Sequence, residues 1–294
     1  MAGLKEVRTR IASVNSTKQV TSAMKMVSAA KLRKSQDAIL KLRPYAGKMA
    51  EIMRKASSSV ETGGNIFSAQ REIKNVLLIP ITSNRGLCGG FNANIIRQTV
   101  KTARDTWRDK RVSVISIGRK AFAFFRRTEM HIIGTDLAQA TRHLGDRFDF
   151  AESSNIVLLL MNLFAKKEFD KITLVYNRFK NAATQIVTVE DFLPVQIHSP
   201  EQKTGKLDTG YIFEPSQQEI IDNLIPLALK TQFYSALLES RAAEHGARMT
   251  AMNKATDNAN ELLKELRLTY NKARQATITK ELLEIVGGAE ALKG

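Results

Sequence analysis

A chain of 294 residues, 43% of them hydrophobic, can bury one or two cores and is too apolar to be disordered. Its net charge is +16 and unevenly placed: residues 1–58 carry 13 Lys/Arg against 3 Asp/Glu, and residues 217–294 carry 10 of each. The single cysteine, Cys88, excludes an intramolecular disulfide. The four scattered histidines lack the spacing of a zinc site, and the longest apolar run, 156–165, is too short to cross a bilayer.

The opening Met-Ala-Gly-Leu-Lys-Glu-Val runs directly into a helical pattern, so no secretory or transit segment is expected. From Leu4 to Arg43 there is no Gly and no Pro, which allows a helix of roughly 60 Å at ~1.5 Å per residue. Leu4, Val7, Ile11 and Val14 form a coiled-coil seam. Val20, Met24 and Val27 continue it out of register, with the break placed in 15–19. Pro44 is expected to kink or end the rod, and helix to resume to about Ser57. The stretch 58–68 reads as a loop.

The middle alternates. Val76–Ile81 reads as a buried strand, Thr82–Gly90 as a turn-rich segment and Asn92–Arg108 as a helix. Val112–Ile117 is a strand, Lys120–Arg127 a short helix and His131–Ile133 a weak strand. Ser153–Lys167 is helical, and Ile172–Tyr176 and Thr184–Val189 are strands. Such alternation predicts an α/β layer with a mainly parallel sheet. Glu201–Gly210 is polar and reads as a loop.

From Leu227 to Val286 there is no Pro and one Gly, Gly246, enough for a helix of roughly 90 Å at the same rise. Met249, Thr256, Leu263 and Tyr270 stand seven apart, with Met252, Ala259, Leu266 and Ala273 as the second set. Ile278, Leu282, Leu283, Ile285 and Val286 make an apolar tip, with Gly287-Gly288 as the expected stop. The parts assemble as an α/β fold. Long N- and C-terminal helices (1–58 and 217–294) form an antiparallel coiled coil around an inserted α/β domain (59–216) with a mainly parallel sheet.

No motif carries catalysis. Gly86–Gly90 lies between a strand and a helix, where a phosphate loop would sit, but the Walker lysine and the dinucleotide spacing are missing, so a tight turn is the reading. Cys88 reads as a small packed thiol. Carboxylate pairs such as Asp146/Asp149 and Glu281/Glu284 read as solvated charges. No catalytic residue, cofactor or metal is expected. The basic N-terminal rod calls for an acidic partner. Its cations are not on one stripe, and no aromatic residue precedes Tyr45, which weighs against nucleic acid. A basic coiled-coil nucleic-acid-binding protein stays the alternative reading. Met24 continues the apolar seam, while Lys25 projects from another face.

Three segments then carry a resemblance over essentially the whole chain. Leu4–Val14 with Ala23–Arg33, Thr82–Asn92, and Ile278–Glu281 continuing to Gly288-Ala289 resemble, in order and spacing, the gamma subunit of F-type ATP synthases, bacterial-like in form. The resemblance implies a non-catalytic rotor shaft, the central stalk, whose tip enters a ring of alternating alpha and beta subunits. The α/β domain would stand beside the epsilon subunit on the ring of c subunits, so that rotation couples proton flow to ATP synthesis or hydrolysis at beta. It implies a peripheral protein on the cytoplasmic face of the bacterial plasma membrane, touching membrane only through partners, with no nucleic acid. Met24 and Lys25 match the site near the acidic lever of beta. Arg248, Gln275 and Thr279 match shaft positions that bond to the catalytic ring. Tyr211, Phe213 and Glu214 resemble the foot segment near the c ring or epsilon. Ser22 stands where many members have Lys, Asn84 replaces a common Asp, and Asn253-Lys254 places the base one position late. The regulatory cysteine pair of plastid members is absent.

Overall fold

The computed structural model describes residues 4–57, 66–69, 71–132, 134–144, 149–195 and 217–291. In chain order the elements are α1 (Leu4–Ser57), β1 (Asn75–Pro80), α2 (Phe91–Lys101), a π-turn (Thr102–Thr106), β2 (Arg111–Val114), α3 (Arg119–Phe125), α4 (Asp136–His143), α5 (Phe150–Ala165), β3 (Lys171–Phe179), β4 (Gln185–Leu193) and α6 (Gln217–Ala291). By internal packing they divide into two compact units. One joins Met1–Ser28 with Arg248–Gly294, and the other is Ala29–Ala247.

The first unit is a pair of helices. Thr21 Oγ1 lies 2.8 Å from Thr256 Oγ1, and Lys25 Nζ donates to Asn253 Oδ1. As α1 rises by four residues its partner falls by three, so the helices run antiparallel. Val7, Thr21 and Ser28 are buried against Met252, Ala259, Leu263 and Leu266. This corrects the expected phase shift. The seven-residue series Val7, Val14, Thr21, Ser28 runs on unbroken, and Val20 and Val27 turn outward. The seam prefers small hydroxyl residues there because they let two backbones approach and can be satisfied. Thr21 reaches Lys18 O at 3.0 Å and Thr256 donates to Met252 O at 2.8 Å. Apolar content alone points to the wrong face.

The second unit holds a four-stranded sheet in the order β2-β1-β3-β4. β1 pairs in parallel with β2 (Val76 opposite Val112) and with β3 (Leu77 opposite Ile172). β4 returns antiparallel on β3, with Val175 opposite Val189. The sheet is therefore mainly parallel with one antiparallel edge. β1 is buried on both faces, as its unbroken Val-Leu-Leu-Ile requires. Leu77 and Ile79 join Ile156, Leu160 and Phe164 of α5 and Ile225, Leu229, Phe233 and Leu237 of α6 in one core. Val76 and Leu78 face Val114, Ala103, Ala121 and Phe125 in another. α5 buries Ser153, Ile156, Val157, Leu160, Met161 and Phe164, the i, i+3, i+4, i+7 stripe of a helix lying on a sheet.

Asp170 ties the starts of β1 and β3 together. Its Oδ2 accepts the Lys74 and Asn75 N–H groups, both at 2.9 Å, and Oδ1 pairs with Arg71 Nε at 2.9 Å. Burial works against its charge, but the two backbone donors and the guanidinium outweigh burial and hold the carboxyl below the usual range.

Several boundaries differ from expectation. α1 passes through Pro44 without ending. The lost N–H belongs to a residue exposed to water, where a missing helical bond is tolerated. The helix expected over 92–108 changes to a π-turn at Thr102. His131 makes only an isolated bridge to Val114, not a strand. α4 was not foreseen; its signal is Thr135, whose Oγ1 accepts the Ala138 N–H at 3.2 Å as an N-cap. Gly287-Gly288 does not stop α6, which continues to Ala291. A stop needs a glycine at positive φ, and neither glycine has one. The expected loops over 58–65 and 201–210 lie outside the described residues.

Candidate partner-binding surface

The turn after β1 is the one place where the sequence resembles a ligand loop, and its own side chains fill it. Asn92 Oδ1 accepts the Ser83 N–H at 2.9 Å, and Asn92 Nδ2 donates to Ser83 Oγ at 2.8 Å and Cys88 Sγ at 3.1 Å. Ser83 Oγ donates to Arg85 O at 2.6 Å. Leu87 and Gly89 take positive φ, 61° and 58°, so the chain can fold back over Cys88. Cys88 packs with Phe91, Ile95, Val175 and Ala243. Among the described residues no group of three or more His, Cys, Asp or Glu side chains could hold a metal.

The candidate partner residues therefore lie on the helical unit. Met24 is half-buried beside the seam. Lys25 is exposed, and its ammonium is held by Asn253, which also donates to Asp257 Oδ2 at 3.1 Å. The late basic residue of Asn253-Lys254 thus leaves Asn253 free to hold Lys25. Arg248 is 7% exposed. Gln275 and Thr279 are exposed neighbours one turn apart, joined by the Thr279 hydroxyl to Gln275 O at 3.0 Å. Lys25 thus stands beside Asn253, about six turns along the pair from Gln275 and Thr279. Tyr211, Phe213 and Glu214 lie outside the described residues.

The tip of this unit carries a run of exposed apolar side chains. The register set by Thr21–Thr256 and Lys25–Asn253 places Leu4 near Ala273. Beyond that point α6 continues to Ala291, and every described side chain from Arg274 onward is exposed. Ile278, Leu282, Leu283, Ile285 and Val286 are 47–68% exposed. Water charges about 25 cal/mol for each Å² of apolar surface left in it, so five such side chains on one helix end favour a covering partner. The polar content of the tip is light: Lys280 and Glu284 face each other at 3.6 Å, an exposed i, i+4 pair.

A family model described as ATP synthase matches residues 3–292. The ATP synthase gamma chain of Flavobacterium psychrophilum is 53% identical over 296 residues, covering all of both chains. The chain belongs to the ATP synthase gamma-chain family. That of Christiangramia forsetii is 50% identical, again end to end. The solved central stalk and c-ring of Tetrahymena thermophila mitochondrial ATP synthase contains a chain 25% identical, with a TM-score of 0.56 over 80% of this chain and 99% of that one. A chain of the Euglena gracilis mitochondrial ATP synthase gives 0.65 over 98% and 94%, at 23% identity, which shows a shared fold.

As a gamma chain, the protein is a non-catalytic subunit of an ATP synthase, in the central stalk. Membership in the family makes it membrane-associated through its complex. Among the described residues no helix is long and apolar enough to cross a membrane.

Proposed function

We propose that this gamma chain is the rotating shaft of a proton-translocating F-type ATP synthase. It turns inside the ring of alternating alpha and beta subunits and couples proton flow through the membrane sector to ATP synthesis or hydrolysis at beta. The observation that carries this reading is the apolar tip of α6, left uncovered by the described part of α1. A bearing needs contacts without direction, and apolar contacts have none: the tip can turn in an apolar sleeve without breaking specific bonds.

In this reading 1–58 and 217–294 are shaft, and 59–216 is the base that meets epsilon and the c ring. Met24, Lys25, Gln275 and Thr279 face the alpha and beta subunits, and Tyr211, Phe213 and Glu214 belong to the foot; Arg248, which the resemblance also matches to a ring contact, is buried in its own chain and would meet the ring only at its edge. The complex sits on the cytoplasmic face of a bacterial plasma membrane; the bacterial relatives support that placement.

The test compares ATP hydrolysis with proton pumping in reconstituted complexes carrying Met24→Lys. The half-buried Met24 adjoins Lys25, so the change adds a second cation at the proposed meeting point with the acidic lever of beta. One added charge-assisted contact is worth about 1–3 kcal/mol, enough to hold one rotational position. Pumping should fall more than hydrolysis. Equal loss of both, tracking poorer assembly, would point to a folding defect and away from a coupling role.

A further inference from the structure

The second unit carries a cleft of about 510 Å³ that the gamma-chain reading does not use. It opens beyond the carboxyl ends of β1 and β2, the edge at which parallel α/β sheets take ligands, and its size is that of a small-molecule site. One wall is a single face of α3 and its cap. Arg119, Phe122, Ala123 and Arg126 follow at spacings of three, one and three, so two guanidinium groups bracket an apolar strip. Another wall is built from the turns after β1 and β2, at Asn84, Ser116 and Gly118, and Thr141 of α4 completes the lining.

That wall is rigid. Thr82 Oγ1 donates to Ile117 O at 3.1 Å and accepts the Ala121 N–H at 2.9 Å. Asn84 Oδ1 accepts the Arg119 N–H at 3.1 Å. Gly118, at φ +91°, lies so close that a Cβ there would meet Thr82 O at 2.1 Å. The cleft is thus preformed.

Two features of it lack an internal purpose. Ser116 is 6% exposed, and its buried Oγ has no hydrogen-bond partner among the described residues. A buried hydroxyl is normally answered, and an unanswered one asks for an acceptor from outside the chain. Among the described residues Arg119 and Arg126 form no ion pair, and no acidic side chain lines the cleft. A carboxylate offers about four lone-pair sites, which two guanidinium forks already fill. Two forks and a hydroxyl supply more donors than two oxygens accept, and they suit the oxygens of a phosphate.

We propose that this cleft binds a small organic phosphate, its oxygens held by Arg119, Arg126 and the Ser116 hydroxyl and its apolar body lying on Phe122 and Ala123. The phosphate can belong to a soluble nucleotide or to a lipid headgroup.

Calorimetry on the full chain tests this with three probes: ADP, inorganic phosphate and phosphatidylglycerol vesicles. At least one organic probe should bind about tenfold tighter than inorganic phosphate, the difference made by the apolar wall. Arg119→Gln/Arg126→Gln should weaken it about a hundredfold, and Arg119→Lys/Arg126→Lys, which keeps the charge but not the fork, about tenfold. Both arginines are exposed, so these variants keep the fold. Ser116→Ala should raise the melting temperature of the free chain yet weaken the probe about tenfold. Binding of ADP but not vesicles assigns the phosphate to a soluble ligand, and the reverse assigns it to a headgroup. Three results overturn the proposal. One is no organic probe binding below ~1 mM. The second is a probe that binds the lysine variant as tightly as the parent, which reports charge alone. The third is inorganic phosphate matching the organic probes.

Discussion

Asp170 holds the first turns of β1 and β3 with a charge that is stable only while ionised. Its folded-state pKa lies below the ordinary value of 3.8, so its contribution is fully present above that value and is lost as pH falls through the folded one. Asp170→Asn should therefore cost about 2–3 kcal/mol at neutral pH, and the gap to the parent should begin to narrow as pH falls below about 4. Urea melts at pH 7 and pH 3.5 check this; an equal gap at both would remove the ionised carboxylate from the explanation. Glu239 is the opposite case. Burial, and then the nearby Glu190, raise its carboxyl against the pull of Arg178 and Arg43. A raised carboxylate favours the fold at low pH and opposes it as pH rises through the folded value. Its Oε2 is buried without a hydrogen-bond partner among the described residues. Glu239→Gln should raise the melting temperature by about 2–4 °C at pH 8, the response to ~1 kcal/mol, and by nothing near pH 4. Neither role is legible in the sequence. Asp170 follows a short loop like any surface aspartate, and Glu239 sits in a helix beside small residues. Only the fold brings Arg71 to the first and Glu190 to the second.

At the scale of elements, the sequence announces what depends on local pattern and hides what depends on neighbours. β1, α5 and the α6 seam read directly from apolar spacing. The α1 seam does not, because its buried positions are Thr21 and Ser28 and its exposed ones Val20 and Val27. The choice was made by the small residues of the partner helix. Glycine shows the same division. Gly246 is the lone glycine of a sixty-residue helical stretch, and the packing explains it. A Cβ there would stand 3.3 Å from Phe179 Cε2, at the end of β3, and from Ala182 Cα, in the turn to β4. Gly246→Ala should fail to deliver the ~1 kcal/mol that alanine ordinarily gains over glycine inside a helix, because the close backbone at Ala182 must first give way. Gly287 and Gly288 have nothing within 4 Å of a Cβ and sit in helix. Replacing both with Ala should stabilise the end of α6 by about 0.5–1 kcal/mol each, read as slower hydrogen exchange at the tip. Faster exchange there would mean that the helix end needs those glycines for another conformation.

At the scale of the whole molecule, the architecture was legible because long helices at both ends and an alternating middle admit few assemblies. The proposed partner surface can be read from the sequence only in part. Ile278, Leu282, Leu283, Ile285 and Val286 stand out as apolar residues with no seam to join, and they are exposed in the structure. The placing of Lys25 on Asn253 was not legible, since it depends on the register of two segments more than two hundred residues apart. The described side chains of the tip are exposed, and the three apolar cores are built from residues of the second unit. Removing residues 278–294 should leave the melting of that unit unchanged while weakening assembly with alpha and beta subunits. Loss of the folded α/β unit on truncation would show that the tip serves its own chain.

The central claim is that this chain turns as a shaft. The direct measurement fixes the alpha–beta ring to a surface, attaches a visible probe to an exposed residue of the second unit, and follows the probe while ATP is supplied. The account predicts continuous rotation in one direction that stops when ATP is withdrawn. A probe that stays fixed while the same complexes hydrolyse ATP at full rate would contradict it.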